Sequence, residues 1–249
     1  YPELKVVKSP QGLLETANFI SQHFPAGTNI VQLHDDVKHI VRFVSKAQSE
    51  EVDDVDAVFT EAFRLMQAHR LGLGGMFPYN NTFHKPKHAV TTDLSFVHDP
   101  VTFIHLYGDR SPVVLQKKFE QKQDYQRSIE FYKRDGGVLR LNHYAFEHQG
   151  YNKSNLKGGV ADTMSRTLED DKVATEVFVR DYALYIDVYK SDSKKTDKKK
   201  GDFKINYNKA GFSSPQLRDR TDEASSTTPT PVPVPTPTPT STPVPAPTP

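Results

Sequence analysis

The stretch Asn29-Ile30-Val31-Gln32-Leu33-His34-Asp35-Asp36-Val37-Lys38-His39-Ile40-Val41-Arg42-Phe43-Val44-Ser45-Lys46 decides the fold. Leu33, Val37, Ile40 and Val44 recur in it at helical intervals. That spacing puts them on one face and predicts a helix over Asn29 to Lys46. Helical patterns flank it on both sides. Upstream, Ser9-Pro10 supplies an N-cap and a first-turn proline. Leu13, Ala17, Ile20 and Phe24 follow at helical spacing, and Pro25 ends the run. Downstream, Asp53-Asp54 gives an acidic cap at the positive end of a helix. Val55, Phe59, Ala62 and Met66 continue it to Gly72. About three helices with short connections predict an N-terminal helical layer.

Beyond Gly72 the pattern changes. Residues 71–81 read as a loop by their glycines, Pro78 and asparagines. Thr91 to Val97 and Val101 to Tyr107 read as strands, with Asp99-Pro100 as the bend between them. Ser111-Pro112 repeats the cap signature of the first helix. A long helix is expected over Val113 to Arg134, with Tyr125, Ile129 and Tyr132 inward. Asp135-Gly136-Gly137 is its stop or a hairpin turn. Val138 to Phe146, Val173 to Val179 and Tyr182 to Tyr189 read as strands, and Phe203 to Tyr207 as a hairpin partner. Helices first and strands later argue an α+β fold. The expected whole is an N-terminal helical layer, a mainly antiparallel sheet with one long helix, and an extended tail.

Chemical candidates are few. Asp35 and His39 lie four apart, so on one helix they would share a face and could both touch an ion. Exposed polar positions on an amphipathic helix explain them as well. His84 and His88 resemble a zinc pair, but Pro86 between them forbids the helix that such a pair needs. His98-Asp99 sits at a strand end. No histidine triplet has metalloenzyme spacing, so no metal and no cofactor are expected. The chain has no cysteine, which excludes disulfides and thiolate catalysis. No Gly-x-Ser-x-Gly elbow occurs. Asp35, His39, His98 and Asp99 remain as weak catalytic candidates. Tyr185 and Tyr189 could stack on sugar, and Lys198 and Lys199, in a lysine run broken by aspartates, could hold an anionic glycan.

The net charge is +1 and Lys plus Arg total 32 against 31 acids. No overall field steers the chain toward nucleic acid. No apolar run is long enough to span a bilayer. A first residue of Tyr1 suits removal of a signal peptide, and equally a fragment. Asn80-Asn81-Thr82 and Asn152-Lys153-Ser154 are glycosylation sequons.

The last 25 residues, Ser225 to Pro249, hold ten of the 18 prolines and neither a charge nor an aromatic ring. Each proline fixes φ and lacks a donor, and each residue before one is pushed out of the α region. Polyproline II is the expected backbone. All 26 Phe and Tyr precede this tail, so the core belongs to residues 1–224, with a candidate sub-boundary near 72–90. The repeated Thr-Pro, Val-Pro and Ala-Pro pairs resemble glycosylated Pro-rich segments of secreted wall, matrix and filament glycoproteins. They look most like arabinogalactan-type modules of plants and algae, and like O-glycosylated stalks. That resemblance implies glycans on hydroxyproline or on Thr228, Thr230, Thr236, Thr238 and Thr240, beside the sequon asparagines Asn80 and Asn152.

The resulting expectation is an extracellular or cell-surface structural or adhesive glycoprotein module. It would associate with itself, as in fibres or matrix, or with matrix glycan, the tail acting as spacer or assembly strand. The alternative is a secreted polysaccharide hydrolase, metal-dependent or acid/base, with a Pro-rich linker.

Overall fold

A computed structural model describes residues 6–45, 48–82, 87–148, 168–188 and 203–206. The expected tail, Asn152, Tyr189, Lys198 and Lys199 lie outside these residues. The fold is α+β, with four α-helices and a mainly antiparallel sheet among the described residues.

The helix expected over Asn29 to Lys46 is instead a pair of strands, β1 (Asn29–Leu33) and β2 (Val37–Phe43). His34 to Asp36 turns between them, and Val37 N donates to His34 O at 3.3 Å. The physical reason lies in residue type. Ile30, Val31, Val37, Ile40 and Val41 are β-branched, stiff at χ1 and suited to a pleated surface. Two members of the expected apolar face, Leu33 and Val44, are 51% and 50% exposed. The helical spacing was therefore a coincidence of two strands read as one element. The described N-terminal part holds two helices rather than three.

Helix α1 (Leu13–His23) starts at Gly12 rather than at Ser9-Pro10. Helix α2 (Val55–His69) follows the short strand β3 (Ser49–Glu51). Its N-cap is the expected one: Asp54 accepts from Ala57 N at 2.9 Å. Arg70, in the left-handed region at φ 55°, closes it.

Residues expected to loop after Gly72 form β4 (Leu73–Phe77), buried along its whole length. The glycines that suggested a loop serve close packing instead. A Cβ on Gly74 would lie 3.0 Å from Met66 Sδ, and one on Gly75 would lie 2.7 Å from Val97 Cγ1. Strand β5 is only Val90–Thr91, and the chain runs irregularly from there to Pro100. Strand β6 (Val101–His105) is buried on both faces.

The long helix begins later than expected. A short 3-10 segment covers Lys117–Lys122, and α3 spans Gln123–Asp135 with Ile129 and Tyr132 buried. Gly136, at φ 79°, ends it. Strand β7 (Leu139–His148) follows. The strand expected over Val173 to Val179 is the helix α4 (Leu168–Asp181). Its β-branched residues suggested a strand, but Phe178 and Tyr182 are both buried one turn apart with rings 4.6 Å between centroids. The acidic run Glu169-Asp170-Asp171 also suits a helix start. Strands β8 (Ile186–Val188) and β9 (Phe203–Ile205) pair as the hairpin expected there.

The main sheet runs β1-β6-β4-β7-β2-β3, with β5 on β7. Among the described residues only β4 and β7 pair in parallel. Each face of the sheet buries a core. Val58, Ala62, Phe63 and Met66 of α2 meet Val101, Phe103, Leu139 and Phe146 on one side. Leu14 and Ala17 of α1, Ile129 of α3 and Phe178 of α4 meet Leu73 and Ile104 on the other. Strand residues alternate between these cores, as period 2 requires. Among the described residues no helix is long and apolar enough to cross a membrane.

Candidate functional site

Helix α3 carries a buried polar face, and its N-terminal end holds a cluster of buried charge. Asp99 reaches it from the bend before β6. Arg127 Nη2 forms an ion pair with Asp99 Oδ1 and donates to Thr102 Oγ1 at 2.9 Å. Arg127 Nη1 donates to Gln32 Oε1 of β1 at 3.3 Å. Gln123 Nε2 donates to the second Asp99 oxygen, Oδ2, at 2.8 Å. Asp99 and Arg127 are both buried. An ion pair out of water is stable only when further hydrogen bonds complete it. Here completion is partial: Arg127 Nε and Gln123 Oε1 have no hydrogen-bond partner among the described residues.

Asp124 stands beside this pair, in the first turn of α3. Asp124 is half-buried, and its carboxyl feels the charges of both Asp99 and Arg127. Burial pushes that carboxyl up to about 7, and the negative charge of Asp99 adds to the rise. Tyr125 N, which donates to Asp124 Oδ1 at 2.9 Å, and the Arg127 charge act against it. Two carboxyl groups thus sit in different environments on one helix end. One is held by an arginine, and the other keeps its proton near neutrality. Two carboxyls on one helix end can divide acid and base roles.

The polar face continues along α3. Ser128 Oγ accepts from Val97 N at 3.0 Å and donates to Asp124 O at 2.8 Å. Gln126 Nε2 donates to Tyr182 Oη at 3.1 Å, and that hydroxyl donates to Glu130 Oε1 at 2.8 Å. Burial, then Glu130, raises the Tyr182 phenol. These bonds tie α3 to α4 and to the segment before β6.

The expected site residues scatter. Asp35 is an exposed turn residue, not a helix neighbour of His39. His39 lies on β2, with Nδ1 3.0 Å from Glu51 Oε1. The shared helix face proposed for the two does not exist. His98 packs its ring 5.7 Å from Phe96 and 5.7 Å from Phe146. Of the four candidates only Asp99 joins the cluster. Tyr185 lies in the turn after α4, its ring 6.3 Å from Tyr132, rather than on an open sheet face. Asn80 is exposed, and its side-chain amide donates to Glu147 Oε1. Among the described residues no group of three or more His, Asp or Glu could hold a metal ion.

Gln32, Thr102, Gln123, Asp124 and Arg127 escaped the sequence reading. Asp124 and Arg127 sit three apart, a spacing that places both on one helical side. The partner Asp99 is 28 positions away from Arg127, and no local pattern links them. No family model matches the chain, and no curated protein or solved structure gives a match.

Proposed function

We propose that this chain is a secreted or cell-surface structural or adhesive glycoprotein module, with its Pro-rich tail as spacer or assembly strand. The observation that carries the reading is the composition of Ser225 to Pro249: proline at nearly every second position, threonine between, and no charge. Such a segment resists collapse and presents hydroxyls at regular intervals. The exposure of Asn80, the first residue of a sequon, is consistent with a glycosylated surface. The proposed partners are further copies of the chain or a matrix glycan, not nucleic acid. Intact mass measurement of the native protein tests the reading. Pentose or hexose increments on the peptide 225–249 are expected. A bare tail on a protein that stays monomeric at high concentration overturns it.

A second reading rests on the Asp99–Asp124 pair. Two neighbouring carboxyls, of which Asp124 is raised to about 7, suit acid/base hydrolysis of a glycosidic bond, which uses a pair of carboxyl groups. A glycan-hydrolysis screen tests it. Activity that is lost in Asp99→Asn and in Asp124→Asn, with folding retained in both, would replace the first reading.

A further inference from the structure

The main sheet has two edges, and they differ. Strand β3 is three residues long and acidic, with Glu50 paired to Arg42 and Glu51 to His39. Short, charged edges resist the addition of another strand. Strand β1, Asn-Ile-Val-Gln-Leu, has no charge and has β6 as its one strand partner among the described residues. Asn29 and Leu33 at its ends are exposed and the residues between them half-buried, whereas β6 is buried along its whole length. Ile30 packs toward the core formed with α1, α3 and α4, and Val31 toward the core formed with α2. Side chains thus fix β1 from both faces of the sheet, and its outer backbone is a preformed template.

That template is self-complementary. The register with β6 pairs Asn29 with His105 and Leu33 with Val101. Leu106 N donates to Thr28 O at 3.1 Å, and His34 N donates to Pro100 O at 3.1 Å. Even-numbered residues therefore turn their N–H and C=O groups toward β6, and Asn29, Val31 and Leu33 turn theirs outward. These three outward residues are spaced evenly about Val31. Across a two-fold axis at Val31, Asn29 of one copy meets the second copy's Leu33, and Val31 meets Val31. Each such pair exchanges two N–H···O bonds, so every outward donor and acceptor of both strands finds a partner. Charge favours the same arrangement. Asp35 and Asp36 follow β1, and the uncharged Pro25-Ala26-Gly27 precedes it. Antiparallel pairing brings the acids of one copy toward the uncharged segment of the other. The two Asp35 residues, each four positions from the axis, then stand about 26 Å apart along the strands, beyond the reach of screened charge. A parallel pair would stack them.

We infer that the edge of β1 is a contact between two copies of this chain, in which their main sheets join antiparallel about a two-fold axis at Val31. The contact is isologous, since each copy presents the same patch. It names the surface for the self-association in the reading above and rests on that part of it. Main-chain bonds give strand addition its affinity. A five-residue ladder is small against the cost of association, so the contact is weak for one free pair. It strengthens where copies are already held close together, as in a matrix.

Amide hydrogen exchange on the native full chain tests it, over a concentration series up to about 1 mM. The amides of Asn29, Val31 and Leu33 should gain protection as concentration rises. Ile30 and Gln32, bonded to β6, should stay protected throughout. Sedimentation over the same series should show monomer giving way to dimer. Leu33→Pro removes one outward donor from each copy and leaves the bonds to β6 in place. It should weaken dimerisation about tenfold or more. Fast exchange of the three odd amides at every concentration overturns the inference. So does slow exchange where sedimentation shows monomer, because the chain then covers its own edge. Dimerisation of Leu33→Pro at native strength overturns it as well. The mass of peptide 225–249, read on the same sample, separates this inference from the reading it rests on. A glycosylated tail on a monomer, or association without protection of the odd amides, sinks the edge contact alone. A bare tail on a monomer sinks both.

Discussion

Helix α3 ends in a buried carboxylate–arginine cluster at each terminus, and the two are built differently. At the C-terminal end the Asp135 side chain is fully buried and both of its carboxylate oxygens are bonded. Gly72 N donates to Oδ2 at 2.8 Å, Arg110 Nη1 to Oδ1 at 2.7 Å, and Arg134 to both oxygens. Arg110 Nη1 also reaches Arg70 O at 2.7 Å, so the cluster pins the end of α2. Tyr107 lies beneath two of its cations, 4.7 Å from Arg110 and 5.4 Å from Arg70. At the N-terminal end Arg127 Nε and Gln123 Oε1 are buried and unmatched among the described residues, and Asp124 holds a proton near neutrality. A saturated cluster is what stability requires. An incompletely matched one, with a displaced proton affinity, is the kind of arrangement found at sites that do chemistry. The difference teaches that burial of charge alone does not mark a site; the unmatched remainder does.

The sharpest break of this comparison is at Asp135. An anion at a helix C-terminus is disfavoured by the dipole, so its arginines hold it there. Asp135→Ala leaves Arg110 and Arg134 partly buried and uncompensated, and Gly72 N without its acceptor. The expected loss is about 3–5 kcal/mol of unfolding free energy, read by chemical denaturation. A loss below about 1 kcal/mol would mean the cluster is no tighter than a surface pair.

Next is Arg127. Arg127→Met strands the buried Asp99 carboxylate and should cost about 3 kcal/mol. Adding Asp99→Leu removes the stranded charge, and the double variant should regain most of that loss. A double variant as unstable as the single would show that Arg127 acts through packing rather than through its charge.

The third test is pH. The Asp124 carboxyl is raised in the fold, so between about pH 4 and pH 7 the folded chain binds a proton that the unfolded chain has released. Stability from this group is complete below about pH 4 and is lost as pH rises through about 7. Asp124→Asn should flatten that decline, worth about 1–3 kcal/mol, with denaturation midpoints measured across the window. An unchanged slope would place the proton elsewhere.

Much of the fold was legible where one element follows one period. Asp54 and the run from Val55 to Met66 mark α2, and the strand expected over Val138 to Phe146 matches β7. What failed was short and tertiary. Two strands joined by His34-Asp35-Asp36 mimicked one helix. The glycines of β4 read as a loop because the packing of Met66 and Val97 against them is invisible in sequence. In α4 the valines outweighed the spacing of Phe178 and Tyr182. The site was less legible still. Asp99 is a carboxylate at a bend, but the cluster around it draws on β1, β6 and α3, and only the folded sheet brings those together.

The smallest expected effect completes the contrast between the two ends of α3. Gln123 donates to Asp99 at 2.8 Å, yet its own Oε1 is buried without a partner among the described residues. A hydrogen bond to a charged group contributes about 1.5–3 kcal/mol, and an unmatched buried acceptor costs about 1–3 kcal/mol. Gln123→Met keeps the volume and removes both at once, so the two should nearly cancel, with a change within about 1 kcal/mol. Around Asp135 no such cancellation is available, because among the described residues Asp135, Arg110 and Arg134 have no orphaned buried atom to remove. If Gln123→Met is as costly as Asp135→Ala, Oε1 is bonded in solution. The N-terminal cluster would then be as saturated as the C-terminal one, and the case for chemistry at Asp99 and Asp124 would fall with it.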